Sequence, residues 1–269
     1  MVSPGWEALI LNDYEAVMPL TTKRRFGYDY LFQPPLTQQL GIFSIRILDQ
    51  DECELFFNSI PAYFSYIDIQ LNTVNNHVNV GFTVTLRSNY VLDLTQEYIY
   101  LASNYHRNCR RNVQKAVHAG LYVKQVPGPT VFSGFVKNNL EQQLSVSTHN
   151  LYAILQEITG KCIQHKCGEI LGVYDRTGDL QASGWFVYTE SRILFVVCAS
   201  TRKGKGSQAM YLLVDHAIRE KAGSGLLFDF TGSNIPGVAY FNTGFGAIKT
   251  TYPAIKKNIL PWPVRLFKR

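Results

Sequence analysis

The spacing of hydrophobic and polar positions predicts short strands in the first half of the chain. Phe82, Val84 and Leu86 alternate with polar residues, which is the period-two pattern of a strand with one buried face. Residues 104–120 have an apolar face at helical spacing and end at a glycine, so they predict a helix. Further strands are predicted at residues 6–11, 15–19, 63–71, 90–94 and 121–126, and a helix at 50–59.

The second half predicts helices that alternate with strands. The helices fall at residues 130–143, 150–165 and 207–222, with a short one opening at Pro236. The strands fall at residues 169–174, 180–189, 192–199, 226–228, 247–252 and 254–258. An antiparallel meander that leads into a strand–helix–strand crossover predicts a mixed sheet, hence an α/β (α+β) fold that is not doubly wound.

A Pro-Gly-Pro run at residues 127–129 is the best candidate for a domain boundary. A chain of 269 residues is long for one domain and sufficient for two of ordinary size. We therefore predict an N-terminal domain at residues 1–126 and a C-terminal domain at residues 127–269.

Composition narrows the class of protein without choosing its ligand. Hydrophobic residues make up 46% of the chain and charged residues 17%, so a packed core is expected. The formal net charge of +6 fits an anionic ligand such as a nucleotide cofactor. It fits weak contact with nucleic acid or a membrane surface equally well.

The cysteines and the apolar segments predict a reduced, cytoplasmic protein. The five cysteines form no C-x2-C pair and have no zinc-like spacing to histidine, so no metal site is predicted. Residues 1–10 lack the pattern of a signal peptide. No apolar run approaches the ~20 residues that span a bilayer.

The segment from Leu226 to Ala247 is the strongest candidate for a functional site. An apolar strand stops at Asp229, a turn rich in small polar residues follows, and Pro236 opens a short helix. Ligands often bind where a buried strand ends and a helix begins. Asp229 is a candidate proton acceptor for an attacking amine, or alternatively the cap of the turn. An ordinary strand–turn–helix without a ligand is the other interpretation.

A glycine- and lysine-rich run follows the strand predicted at 192–199 and opens a helix. Glycine allows close approach of the backbone, and the helix start and the cations favour an anion such as pyrophosphate. The predicted donor-binding residues in this run are Arg202, Lys203, Gly204, Lys205, Gly206 and Ser207. A solvated basic turn is the alternative.

Two further segments are candidate substrate-binding surfaces. Arg107, Arg111 and Lys115 recur at helical spacing, so they share one face that meets either an anionic ligand or only solvent. Gln38 and Gln39 follow two prolines, and their amides are candidates to hydrogen-bond a polar substrate. A structural Pro-rich turn is the alternative for this second segment.

Several of these motifs resemble those of acyltransferases. The spacing Asn234-x5-Tyr240-x3-Gly244-Phe245 resembles the last motif of the GNAT superfamily. Residues 111–116 resemble the Arg-Asn-x-x-Lys-Ala segment of FemAB-like proteins, and residues 33–41 resemble a Gln-Pro-Pro-x-x-Gln-Gln-x-Gly segment of FemAB-like acyltransferases from Bacteroidetes. The resemblance departs at Thr201, where the GNAT donor loop has Arg or Gln.

The resemblance implies two tandem GNAT-like domains and an enzyme that transfers an acyl group from an acyl-CoA, such as acetyl-CoA, to an amine. The acceptor is a small molecule or a peptide. Asn234 is implied to bind the donor, and Tyr240 to protonate the leaving thiolate. Two alternatives remain: a transferase that uses aminoacyl-tRNA and a cell-wall precursor, and a GNAT-fold binding module without catalysis.

Overall fold

The computed structural model describes residues 3, 5–75, 78, 81–140, 149–232 and 234–265. The chain forms two compact units, the first made of Met1–Ser88 with Thr250–Arg269 and the second of Asn89–Lys249. The strands are β1 (Glu7–Leu11), β2 (Ala16–Leu20), β3 (Thr22–Arg25), β4 (Tyr28–Phe32), β5 (Phe43–Ser44), β6 (Phe64–Gln70), β7 (Thr83–Asp93), β8 (Tyr122–Gln125), β9 (Gly168–Tyr174), β10 (Leu180–Tyr188), β11 (Arg192–Ser200), β12 (Leu227–Asp229) and β13 (Ile248–Asn258). The helices are α1 (Gln50–Asn58), α2 (Tyr98–Ser103), α3 (Arg107–His118), α4 (Pro129–Leu140), α5 (His149–Gln164), α6 (Arg202–Gly206), α7 (Ala209–Lys221), α8 (Pro236–Gly244) and α9 (Trp262–Arg265).

The first unit contains a small antiparallel sheet and a mixed one. β1, β2 and β5 form the small sheet, and β3, β4, β6 and β13 lie side by side in that order in the mixed one. β4 and β6 run parallel, whereas β3–β4 and β6–β13 are antiparallel pairs. Inward-facing residues of these strands, with Phe56 and Phe57 of α1, form the core of this unit.

The second unit is built on a sheet with the strand order β7-β12-β11-β10-β9-β8. β11 and β12 run parallel, and the other neighbouring pairs are antiparallel. Its core includes the fully buried rings of Phe186, Phe228 and Phe245. The mixed α/β fold class predicted from the sequence is confirmed.

The division of the chain differs from the predicted boundary at residue 126. β8 pairs with β9 over Tyr122–Gln125, and α3 packs against α7, so this segment belongs to the unit that follows it. The final strand β13 belongs in part to the first unit, which is therefore discontinuous in sequence. The expectation that both units are GNAT-like stays a prediction.

Most other elements agree with the predictions, but β3, β4, β5, α6 and α9 were not predicted. The helix predicted at residues 104–120 is α3, which begins at Arg107, and α2 before it was not predicted. The two predicted final strands are the single strand β13, which runs through Pro253. Residues 141–143 of the predicted helix 130–143 lie outside the described residues. Across the described ranges, the structure contains no helix with the length and apolar character needed to cross a membrane.

Candidate functional site

A cavity of about 580 Å³ lies in the second unit, where β11 and β12 separate. One wall is β11, with Phe195, Val196 and Cys198, and another is the turn after β12, with Phe230 and Thr231. Residues of α6, α7 and α8 close the remaining sides. The volume is in the range of small-molecule and cofactor sites.

The cavity exists because the parallel pairing of β11 and β12 stops early. The paired positions run from Arg192 opposite Leu227 to Leu194 opposite Asp229, although β11 continues to Ser200. Val196 is the extra residue of a β-bulge, since Phe195 and Val197 pair with consecutive residues of β10. A bulge bends and twists its strand, which here accompanies the separation from β12.

The turn after β12 is fixed by two hydrogen bonds of Thr231. Its hydroxyl donates to the Phe195 carbonyl at 2.6 Å, and its backbone N–H donates to the Asp229 carboxylate at 2.8 Å. Thr231 has φ of +53°, a left-handed conformation that such side-chain hydrogen bonds help to hold. This arrangement matches the alternative in which Asp229 caps the turn.

Asp229 itself is buried and already has several partners. The Asn89 amide nitrogen lies 3.0 and 3.1 Å from the two carboxylate oxygens. Arg192 forms an ion pair with the same carboxylate at 3.0 Å. A buried carboxylate with this many hydrogen-bond partners is fixed in position, which suits a structural role. Its role as proton acceptor for an amine stays a prediction.

The predicted donor loop folds as the short helix α6 followed by the turn that starts α7. The Thr201 side chain caps α6 by accepting a hydrogen bond from the Gly204 N–H at 2.8 Å. The N–H groups of Lys205 and Ser207 bond to carbonyls of Thr201 and Lys203 inside the same segment. Several amides expected to face an anion therefore have internal partners.

The two glycines of this loop serve different purposes. A Cβ on Gly204 would lie 2.1 Å from the Gln181 carbonyl oxygen, so glycine is needed for α6 to pack against β10. A Cβ on Gly206 would meet none of the described residues within 4 Å. Gly204 is thus explained by packing, whereas Gly206 leaves open space in which a ligand can approach.

The cations of the loop also differ in their surroundings. Lys203 pairs with Asp175 at 2.6 Å, which raises the pKa of the lysine and lowers that of the carboxyl. Lys205 lines the cavity, together with Gln208. Arg202 is exposed at the start of α6, and Ser207 donates its hydroxyl hydrogen bond back into the helix at 3.0 Å. Lys205 is therefore the cation of this run that the structure brings to the cavity.

Two residues of the motif that includes α8 lie away from the cavity walls. Tyr240 is 55% exposed, and the cavity is lined instead by its neighbours on the helix, Val238, Phe241 and Asn242. Asn234 is exposed in the turn before α8. The roles of Tyr240 in proton transfer and of Asn234 in donor binding stay predictions.

The basic face of α3 lies on the surface of the second unit. Arg107, Arg111 and Lys115 are all exposed, and within the described ranges none of the three forms an ion pair. α3 packs against both α7 and α8. α3 therefore lies next to two helices that close the cavity, while its three basic side chains are exposed and do not line the cavity.

The Pro-rich segment has a local structural role in the first unit. Gln33 donates to the Thr37 carbonyl at 2.7 Å and accepts from the Gln70 N–H at 2.8 Å, which ties the segment to β6. Gln38 and Gln39 are half-buried in this segment, while the walls of the cavity come from the second unit. Their role in substrate binding stays a prediction.

Sequence reasoning missed two side chains in the cavity wall. Asn242 is 2% exposed, and within the described part of the chain its amide nitrogen has no hydrogen-bond partner. Burial raises the pKa of the Cys198 thiol to about 11, so the thiol is neutral at physiological pH. The sequence offered one signal for Asn242. It is a polar residue on the apolar face of α8, next to Phe241 and three residues before Phe245.

The sequence matches no protein-family model and no curated protein. Solved structures nevertheless share its fold over nearly the whole chain. FemX has a TM-score of 0.66 at 12% identity and covers 98% of this chain and 90% of its own. L-PGS from Bacillus licheniformis has a TM-score of 0.57 at 12% identity, over 97% and 87% of the two chains.

A further structure, a GCN5-related N-acetyltransferase from Kribbella flavida, has a TM-score of 0.52 at 8% identity. It covers 96% of this chain and 91% of its own. The chain therefore has the FemAB-like, GNAT-type fold, which confirms the resemblance seen in the sequence at the level of the fold.

Proposed function

We propose that the protein is an acyltransferase that moves an acyl group from an acyl-CoA thioester to an amine. One observation carries the proposal: the cavity opens where β11 separates from its parallel neighbour β12, beside the bulge at Val196. A strand edge released from pairing offers backbone N–H and C=O groups to a ligand. The N-acetyltransferase and FemX structures with this fold add support at the level of reaction class.

The proposed reaction is a direct transfer. The acyl carbonyl lies against β11, whose backbone N–H groups stabilise negative charge on its oxygen. The amine nitrogen bonds to the acyl carbon and loses a proton, while the carbon–sulfur bond breaks and the thiolate gains a proton. Lys205 pairs with a phosphate of the donor, since it is the loop cation in the cavity wall.

A second candidate donor is aminoacyl-tRNA, with a cell-wall precursor as acceptor. Two observations favour it: the amides of α6 have partners inside the loop, and α3 presents an exposed basic face. L-PGS shares the fold, and a related structure bears the name lysylphosphatidylglycerol synthetase, an activity that concerns an aminoacyl group. The same cavity would then hold the aminoacyl end of the donor.

Calorimetry with acetyl-CoA separates the two donors. We expect binding that Lys205→Gln weakens by roughly ten- to a hundredfold, because a charge-assisted hydrogen bond contributes roughly 1.5–3 kcal/mol. Gly206→Asp should weaken binding more, since it adds a negative charge where the backbone is open. Lys203→Gln is the matched control, because Lys203 pairs with Asp175.

Equal losses in the two lysine variants would show a general charge effect rather than a site. Absence of binding by wild-type protein would remove acyl-CoA as the donor and leave aminoacyl-tRNA. Binding without transfer to any of a panel of amines would support a binding module.

A further inference from the structure

Asn242 is a polar side chain in a wall that is otherwise largely apolar. It lies on α8, is 2% exposed and lines the cavity beside Phe230, Phe241 and Met210. Its Nδ2 is fully buried and has no hydrogen-bond partner among the residues that the structure describes. Among the described residues, Asn242 alone both lines this cavity and has a buried polar side-chain atom without a hydrogen-bond partner.

Folding alone gives no reason for a carboxamide at this position. A buried amide donor without a partner costs roughly 1–3 kcal/mol, and native proteins keep few of them. Leucine has a similar length and would pack beside Phe230 and Phe241 without that cost. An acceptor that a ligand brings into the cavity would satisfy this donor once the carboxamide turns about its soft terminal torsion to face the cavity.

The position of Asn242 points to the acyl group rather than to the nucleotide of a donor. Lys205 and Gln208, on α6 and the turn after it, form the polar side of the cavity. Asn242 lies on α8 among aromatic side chains, where an acyl chain gains most from burial. In the proposed reaction the thioester carbonyl lies against the edge of β11. Asn242 is therefore available to hydrogen-bond a different polar atom of the acyl group.

We propose that Asn242 determines specificity: it donates a hydrogen bond to an oxygen on the acyl chain, so the cavity selects oxygen-bearing acyl groups, such as hydroxyacyl groups, over plain alkyl ones. The inference rests on the proposed function for the role of the cavity as an acyl site. A site built to bond a hydroxyl rejects the analogue without it, because the protein donor is then left unpaired.

The test uses a matched pair of small thioesters without a nucleotide, the N-acetylcysteamine esters of 3-hydroxybutanoate and butanoate. Wild-type protein should bind the hydroxy ester about tenfold more tightly, which corresponds to one hydrogen bond. Asn242→Leu should bring this ratio close to one. Thr243→Val, a polar-to-apolar change on the same helix outside the cavity wall, should leave the ratio unchanged.

Thermal unfolding of the unliganded proteins provides the second readout. Asn242→Leu should melt at the wild-type temperature or above it, since the change removes an unpaired buried donor. A melting temperature lower by more than about 5 °C would assign Asn242 to the folded structure instead and overturn the proposal.

Equal affinity of wild-type protein for the two esters, or no binding of either at millimolar concentration, would also overturn it. Discrimination between the esters without binding of acetyl-CoA would retain this inference and reject only the proposed donor. A loss of turnover in Asn242→Leu with an unchanged ratio would instead place Asn242 at the reacting carbonyl, contrary to the proposal.

Discussion

At the scale of single residues, Asp229 shows how a candidate catalytic group is explained by its partners. Its carboxylate is buried and contacts Asn89, Arg192 and the Thr231 N–H at 2.8–3.1 Å. These contacts hold together β7, β11 and the turn that forms one wall of the cavity. The contacts of Asp229 therefore assign it a structural role, which is to position the turn in the cavity wall.

We expect Asp229→Asn to lower the stability of the protein by about 2–4 kcal/mol, because it leaves Arg192 without its buried partner. The new amide would also face the Asn89 amide, which donates to both carboxylate oxygens. Differential scanning calorimetry measures the loss. If Asp229 acted only as a catalytic base, Asp229→Asn would reduce turnover and leave the melting temperature unchanged.

Glu157→Gln is the matched control for this substitution. Glu157 pairs with Lys161 at 2.7 Å on the exposed surface of α5, where solvent screens the charges. We expect its melting temperature to stay within about 1 °C of wild type. A comparable loss in both variants would show that Asp229 has no special place in the fold.

At the scale of elements, the helix α6 separates the packing and binding roles of glycine. Gly204→Ala should destabilise the protein markedly, because its Cβ would lie 2.1 Å from a backbone oxygen of β10. Gly206→Ala should leave stability unchanged or slightly raised, since its Cβ meets nothing and alanine favours a helix. Urea denaturation of the two variants measures this difference, and equal stability would contradict the assigned packing.

The sequence predicted most elements well because their hydrophobic periods were clear. The helix α7, the strand β12 and the helix α8 all lie where the pattern placed them, with Pro236 at the start of α8 as expected. α6 was missed because five residues rich in glycine and lysine carry no hydrophobic period. α2 was missed for a related reason, since its six residues are too short to show a helical period.

The candidate site was less predictable than the elements that carry it. The predicted residues Gly204 and Lys205 do line the cavity, whereas the wall formed by Asn242 and Cys198 depends on how α8 and β11 face each other. The partner of Asp229 on β7 is 140 residues away in sequence. Local patterns contain no information about such pairings, because they arise only when the sheet assembles.

At the scale of the whole molecule, part of the positive charge is concentrated on one helix, α3. The formal net charge is +6, and three of the positive charges form the exposed face of α3 made by Arg107, Arg111 and Lys115. Like charges one turn apart on a helix repel by a few tenths of a kcal/mol per pair. An anionic ligand on this face would offset that repulsion.

The probe is unacylated tRNA. Joint replacement of Arg107, Arg111 and Lys115 by glutamine should weaken its binding by tenfold or more at low salt. It should also make the dependence of log K on log salt concentration shallower by roughly 2–3, because about that many phosphate contacts are lost. The control replaces Lys124, Lys161 and Lys203, which lowers the net charge equally, from +6 to +3. Fluorescence anisotropy with labelled tRNA measures both slopes. Lys161 and Lys203 suit the control because both form ion pairs away from α3. Equal effects of the two triple variants would mean that only the net charge matters. A loss confined to the α3 variant would assign binding of the polyanion to α3.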